Sequence, residues 1–367
     1  MKATKRKLHF LCRWDACRER TWSGTCLSLF RALQAYYELA DYRLYTPLFL
    51  RILRKIGIVP KNEPSQAEIR WFRWMHGRRF RPADRETCRV FQFTDMLPDR
   101  EGRETFVYQD LCMNYVRNMS ERFPDRFALS NFQMTPSEEL NRRARAERAY
   151  YDTCKGVFTM GRWMARFLVE ELGIDAAKVH HAGGGINLDS RLIGDGSGRT
   201  GNKILFVGRD FLRKGGDLVY EAFCLLRQEC PEVELYVAGP AADPVEGGQP
   251  GYHYMGDCSA EQLSGLFNRC DIFCMPSCFE AYGLVFIEAL TYGLPCIGRD
   301  RYEMPYFIED GETGYLIDED DASLLAGKMR DLLHNERIKA RVLERRNWYM
   351  EEYSWKKVAE RIAEVVG

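Results

Sequence analysis

The 367-residue chain has no excess charge of either sign: 53 lysines and arginines stand against 53 aspartates and glutamates. No global field therefore draws it to nucleic acid or to another polyanion. It has no Cys-x-x-Cys pair, although it holds 13 cysteines. The odd number, the length of the chain and the lack of an export signal favour reduced thiols over a disulfide framework. Cys270, Cys274 and Cys278 come nearest to a metal cluster, but they straddle a helix end, a strand and a loop, and they read as small buried apolar side chains. Long apolar runs are missing too. After the basic start MKATKRK the first apolar stretch ends at Arg13, far short of the roughly 20 residues that span a bilayer. The expectation is a cytoplasmic protein, with peripheral contact on the inner face of a membrane still allowed. No internal repeat or low-complexity tract is present.

What is there is an ordinary globular mixture, 46% hydrophobic and 29% charged, in a chain long enough for two cores. Lys7–Cys12 reads as a strand, followed by a polar loop through Gly24 and a helix whose apolar face carries Leu27, Leu29, Leu33 and Tyr37. Asp41–Leu50 holds a second strand candidate, and Ser65 with Glu68 forms a capping-box pattern. CRVFQF and ETFVYQD are further strands, which place Asp95 and Asp110 at or just beyond their carboxyl ends. The glycine-rich stretch Asp189–Asn202 has no periodicity and reads as a connector. Beyond it, KILFVGR, VELYVAG, DIFCMP, PCIG and TGYLI alternate with helices, the order of a doubly wound parallel sheet. The expected division is an amino-terminal domain over 1–190, a linker over 191–202, a second domain over 203–345 and a carboxyl-terminal helix over 346–367. Ser354 caps that helix, whose apolar face holds Trp355, Val358, Ala359, Ile362, Val365 and Val366.

Two motifs carry chemistry. In VGRDFLRKGGD, Arg209 and Lys214 overhang the carboxyl edge of a sheet, where two fixed cations suit a diphosphate. A pair of solvated surface cations is the plain alternative. In PSCFEAYGLVFIEALTYGLP, Glu280 lies in the loop after a strand, and Gly283 and Leu284 open a helix that contains Glu288. Helix-terminal amides there can meet phosphate oxygens, and Glu288 can accept from ribose hydroxyls.

Arg209, Lys214, Glu280, Gly283, Glu288 and the trailing GLP and GETGYLI segments resemble retaining glycosyltransferase family 4. The resemblance spans the second half of the chain and agrees more weakly elsewhere. It implies an α/β protein of GT-B architecture: two facing Rossmann-like domains, a cleft between them, and a carboxyl-terminal helix that crosses back. It also implies a donor diphosphate on Arg209 and Lys214, ribose on Glu288 and the transferred sugar beside Glu280. In the first half, Gly24 and Thr25 match the family's loop after its first strand, and Gly184 and Gly185 its last glycine loop, with Gly183 and Asn187 bordering the cleft. Where many members carry a histidine near the transferred sugar, this chain offers Asp95 and Asp110 as the catalytic substitutes. The implied reaction is metal-independent transfer from a UDP- or GDP-sugar to a glycan or lipid-linked hydroxyl, by attack from the face of departure and with no cofactor. Two fixed cations beside the carboxylates also fit poorly with a glycosidase, which needs a carboxyl pair around the scissile bond. The acidic run Asp318–Asp321 follows a strand and reads as a solvated loop, not a metal motif.

The acceptor is less legible. Arg51–Arg81 holds nine basic and two acidic residues interleaved with Trp71, Phe72, Trp74 and Phe80. Such a segment suits an anionic membrane surface or an acidic lipid-linked acceptor, or it packs its tryptophans inward and solvates its arginines. No nucleic-acid fold accompanies it. The competing functional class is a catalytically silent nucleotide-sugar sensor or assembly subunit on the same fold.

Overall fold

The computed structural model describes residues 5–15, 17–43, 52, 88–93, 97 and 102–367. The basic and aromatic segment 51–81 lies outside them apart from residue 52, as do the capping pattern at Ser65 and the candidate Asp95.

Among the described residues, two six-stranded sheets, parallel throughout, organise the chain. The first contains β1 (Arg6–Cys12), β2 (Tyr37–Arg43), β3 (Cys88–Gln92), β4 (Arg103–Gln109), β5 (Gly156–Thr159) and β6 (Val179–His181), in the order β2-β1-β3-β4-β5-β6. The second contains β7 (Lys203–Val207), β8 (Glu234–Ala238), β9 (Tyr252–Gly256), β10 (Ile272–Cys274), β11 (Cys296–Arg299) and β12 (Gly314–Ile317), in the order β12-β11-β10-β7-β8-β9. Parallel strands covered on both faces are apolar along their whole length. Leu8, Phe10, Leu11 and Cys12 of β1, and Ile204, Leu205 and Phe206 of β7, are accordingly buried. In each sheet the chain reverses its direction of growth once, between β1 and β3 and between β7 and β10, and ligands of open α/β sheets sit outside the carboxyl ends at such points.

The second strand arrives earlier than the sequence suggests. The helix Thr25–Leu33 stops at Leu33, and Tyr37 starts β2 by pairing with Arg6. A short apolar run cannot tell helix from strand by periodicity, and here the register with β1 decides. The carboxyl-terminal helix Trp355–Val366 returns to the first domain and packs on the helix Thr25–Leu33. Ser354 caps it by accepting from the Lys357 N–H. Trp355, Val358, Ala359, Ile362 and Val366 form its buried stripe; Val365, one position off that stripe, is exposed. All 13 cysteines are free thiols, and no group of three metal-binding side chains occurs among the described residues. No described helix is long and apolar enough to cross a membrane.

Candidate functional site

The second reversal point brings two loops together. The loop after β7 carries Arg209 to Gly216, and the loop after β10 carries Pro276 to Gly283. They are stitched by Cys278 N–H to Arg213 O at 2.9 Å, Ser277 Oγ to Arg213 O at 3.2 Å, and Arg213 Nη1 to Phe279 O at 2.6 Å. Gly215, at φ +74°, allows this crossing, because a Cβ there would stand 2.6 Å from Pro276 O. The consequence is a largely buried ion pair between Lys214 Nζ and Glu280 Oε2, with Arg213 Nη1 4.0 Å from the same oxygen. Arg209 does not join it. Its side chain extends into solvent and pairs with Asp257 at 3.3 Å.

From the facing sheet, Asp110 follows β4 directly and approaches this pair. Burial pushes its carboxyl up to about 6; the backbone N–H groups of Asp110 and Leu111 work against that, while the charge of Glu280 adds to it. The two carboxyls, one from each domain, are thus near enough to feel each other's charge. Gly283, at φ +93°, leads into the helix Leu284–Thr291, and Glu288 within that helix is buried. Its carboxyl is pushed up to about 7 by burial, partly offset by the backbone N–H of Asn187.

Gly24, Thr25, Gly184 and Gly185 are packed closely by protein side chains. Gly24 lies at φ +90° against the side chain of Asn187, and Thr25 is buried at the start of its helix. Gly184 N–H donates to Tyr282 Oη of the second domain at 2.9 Å. Gly185 leaves no room for a side chain, since a Cβ would lie 2.7 Å from the ring and the backbone nitrogen of Trp355.

Two residues of this junction gave no signal in the sequence. Trp163 of the first domain donates from Nε1 to Ala281 O at 2.7 Å, next to Glu280, and from its backbone N–H to Glu303 at 3.2 Å. Its ring meets Tyr115 and Tyr302, and Tyr302 meets Phe279 in turn, so an aromatic cluster bridges the two domains. Trp163→Phe keeps most of that packing and deletes one hydrogen bond. A stability loss of about 1 kcal/mol is expected, read from denaturant midpoints; an unchanged midpoint would show that the Ala281 contact contributes nothing.

Comparison with known proteins bears on the fold and the family. Residues 195–355 match the family described as Glycosyl transferases group 1. A phosphatidyl-myo-inositol mannosyltransferase of Mycobacterium tuberculosis is 30% identical over 216 residues, covering 54% of this chain and 56% of that protein. A D-inositol 3-phosphate glycosyltransferase of Streptomyces avermitilis is 27% identical over 224 residues, covering 54% and 48%. The chain thus spans about half the length of these curated relatives. Among solved structures, WaaG, a glycosyltransferase involved in lipopolysaccharide biosynthesis, shares the fold with a TM-score of 0.67 at 17% identity, over 98% of this chain and 99% of that one.

Proposed function

From the match of residues 195–355 to the glycosyl transferases group 1 family, we propose that this chain is a retaining glycosyltransferase that moves a sugar from a UDP- or GDP-sugar to a hydroxyl of a glycan or lipid-linked acceptor. The observation that carries the reading is the Lys214–Glu280 pair at one sheet's reversal point, faced by Asp110 from the other sheet. In this reading Lys214 spends one of its three N–H donors on Glu280 and turns the others to the donor diphosphate. Arg209, free to swing from its exposed pairing with Asp257, supplies the second cation. Together with the amides at Gly283 and Leu284 they stabilise charge developing on the leaving phosphate, so the departure needs no metal and no cofactor. Glu280 accepts from hydroxyls of the transferred sugar, Asp110 faces that sugar from the other wall, and Glu288 holds the ribose. The leaving phosphate takes the acceptor proton on the face of departure, and no enzymic nucleophile is required. The name of the mycobacterial relative, a phosphatidyl-myo-inositol mannosyltransferase, supports the lipid-linked class of acceptor. A lipid-linked acceptor would bring the protein to the inner surface of a membrane from the cytoplasm.

The test starts with thermal shift against a panel of UDP- and GDP-sugars, since a ligand that binds only the folded chain raises its melting temperature. The donor so identified is then assayed for transfer, and the anomeric configuration of the product is read by NMR. A chain that binds no nucleotide sugar would refute the donor site; an inverted product would refute retention. The ribose role has its own signature. Glu288 is protonated in the free protein below about pH 7, and a carboxylate accepts more strongly than a carboxylic acid. Nucleotide-sugar affinity is therefore expected to rise about five- to tenfold from pH 6 to 8, and Glu288→Gln to flatten that rise. Calorimetry giving the same pH profile for both chains removes Glu288 from the ribose site.

A further inference from the structure

Asn187 lies where the last glycine loop of the first domain meets the second. The preceding Ile186 N–H donates to Tyr353 O at 2.9 Å, which ties this turn to the returning carboxyl-terminal segment. The Asn187 side chain then makes three contacts. Its Nδ2 donates to Ser23 O at 2.7 Å, and its Oδ1 accepts from Ser28 Oγ at 3.0 Å and from Trp355 Nε1 at 2.8 Å. An indole N–H can only donate and a carbonyl can only accept, so these neighbours fix which way the amide points. They also demand an amide. An aspartate could keep both acceptances but could not donate to Ser23 O.

The held segment is strained. Trp22 (φ 49°, ψ 47°), Ser23 (φ 54°, ψ 35°) and Gly24 (φ 90°, ψ −13°) are three consecutive left-handed residues, two of them not glycine. Such backbone persists only when its surroundings over-determine it, and it concentrates at functional sites. Here the surroundings are the Asn187 amide, which bonds Ser23 and packs on Gly24, together with the ring of Trp22 edge-on to Phe93 at 5.5 Å. The loop follows β1 at the first sheet's reversal point, so it overhangs the cleft. On its other side, the Asn187 backbone N–H reaches the carboxyl of Glu288. One residue thus touches the donor-side helix, the acceptor-side loop and the helix that joins the domains.

We propose that Asn187 is a positioning residue: its side-chain amide holds the strained Trp22–Gly24 loop in register with the Glu288 side of the cleft, so that the acceptor-side wall is set when the donor binds. This rests on the glycosyltransferase reading, and its test separates the two. In the full chain, Asn187→Asp deletes the single donation to Ser23 O. The loop is then released while Lys214, Arg209, Glu280 and Glu288 keep their places. Trypsin cleavage after Arg18 and Arg20, followed by mass spectrometry, is expected to quicken at least fivefold. For the UDP- or GDP-sugar that raises the melting temperature, kcat for transfer or donor hydrolysis is expected to fall tenfold or more, while the Kd for the corresponding UDP or GDP stays within about threefold. Unaltered trypsin cleavage overturns the positioning role whatever the activity. A fall in nucleotide affinity as large as the fall in kcat overturns it as well, because Asn187 would then act on the donor site alone. If the aspartate chain does not fold, Ser28→Ala carries the same test by removing one of the two donors to Oδ1, with about threefold effects on cleavage and on kcat. No change in either would again refute the proposal. Failure of every nucleotide sugar to bind the wild-type chain, with cleavage still quickened by Asn187→Asp, refutes the transferase reading but leaves the holding of the loop intact.

Discussion

Lys214→Ala is expected to lower kcat/KM for sugar transfer by about three orders of magnitude, the scale seen when one preorganised donor is removed from a developing oxyanion. The argument begins with placement. Lys214 is held by the stitched loops after β7 and β10, and its side chain is nearly buried, so its charge acts in a poorly screened site. Arg209 offers the same charge from an exposed side chain paired with Asp257, and Arg209→Ala is accordingly expected to cost only about one to two orders of magnitude. Removing Lys214 has a second effect. Glu280 stays buried with Arg213 at 4.0 Å and with Asp110 opposite, so two carboxyls then face each other with less compensation. Leaving a buried charge unpartnered costs on the order of 3 kcal/mol, and a lowered melting temperature at pH 8 that partly recovers at pH 5 is expected. Steady-state kinetics and nucleotide calorimetry on the same preparation separate the two effects. Turnover within tenfold of wild type would end the assignment of Lys214 to the diphosphate.

What made Lys214 and Glu280 legible is that each lies a few residues beyond a strongly apolar strand, so a motif read along the chain already fixes where its side chains stand in space. Their mutual pairing followed from the loops crossing at one point of the sheet. Arg209 shows the limit of that logic. The motif places its Cα, but a long side chain on the rim finds whichever partner is nearest, here Asp257. The linker reads as a connector without periodicity, and Arg199 within it donates to Tyr292 O at 2.7 Å and Gly293 O at 2.9 Å and fastens it to the second domain. Asn187 appears in the sequence only as a residue bordering the cleft. Its partners Ser23, Ser28 and Trp355 are about 160 residues away in either direction, and no local pattern records such a meeting. Glu303 is the extreme case. It sits between β11 and β12 in a segment that the sequence marks only with a proline, and its partner Trp163 belongs to the other domain.

That junction gives Glu303→Gln its expected effect. The Glu303 side chain is completely buried between the domains. It accepts from Trp163 N–H at 3.2 Å and lies 3.8 Å from the Arg162 guanidinium. Burial pushes the carboxyl up to about 8, against the pull of the Trp163 and Arg162 backbone N–H groups and of the Arg162 charge. Tyr282 and Tyr353 also feel its charge, but both stay neutral over the range considered because burial raises each of them. In the unfolded chain this carboxyl titrates near 4.5. Between 4.5 and 8 the folded protein therefore holds a proton that the unfolded chain releases, and stability must fall as pH rises through that window. The contribution is fully present below about 4.5 and gone above about 8. Each pKa unit is worth about 1.4 kcal/mol, so a loss on the order of 5 kcal/mol across the window is expected from this one group. Asp110 and Glu288, raised to about 6 and about 7, add to the same slope, and for that reason the difference between two chains is the informative quantity. Glutamine accepts from the same N–H groups and carries no charge at any pH. Glu303→Gln is thus expected to match wild type near pH 5 and to exceed it by several degrees in melting temperature at pH 8. Parallel melting curves for the two chains from pH 5 to 8.5 would show that Glu303 keeps its charge in the folded protein, with the Arg162 guanidinium compensating it in full.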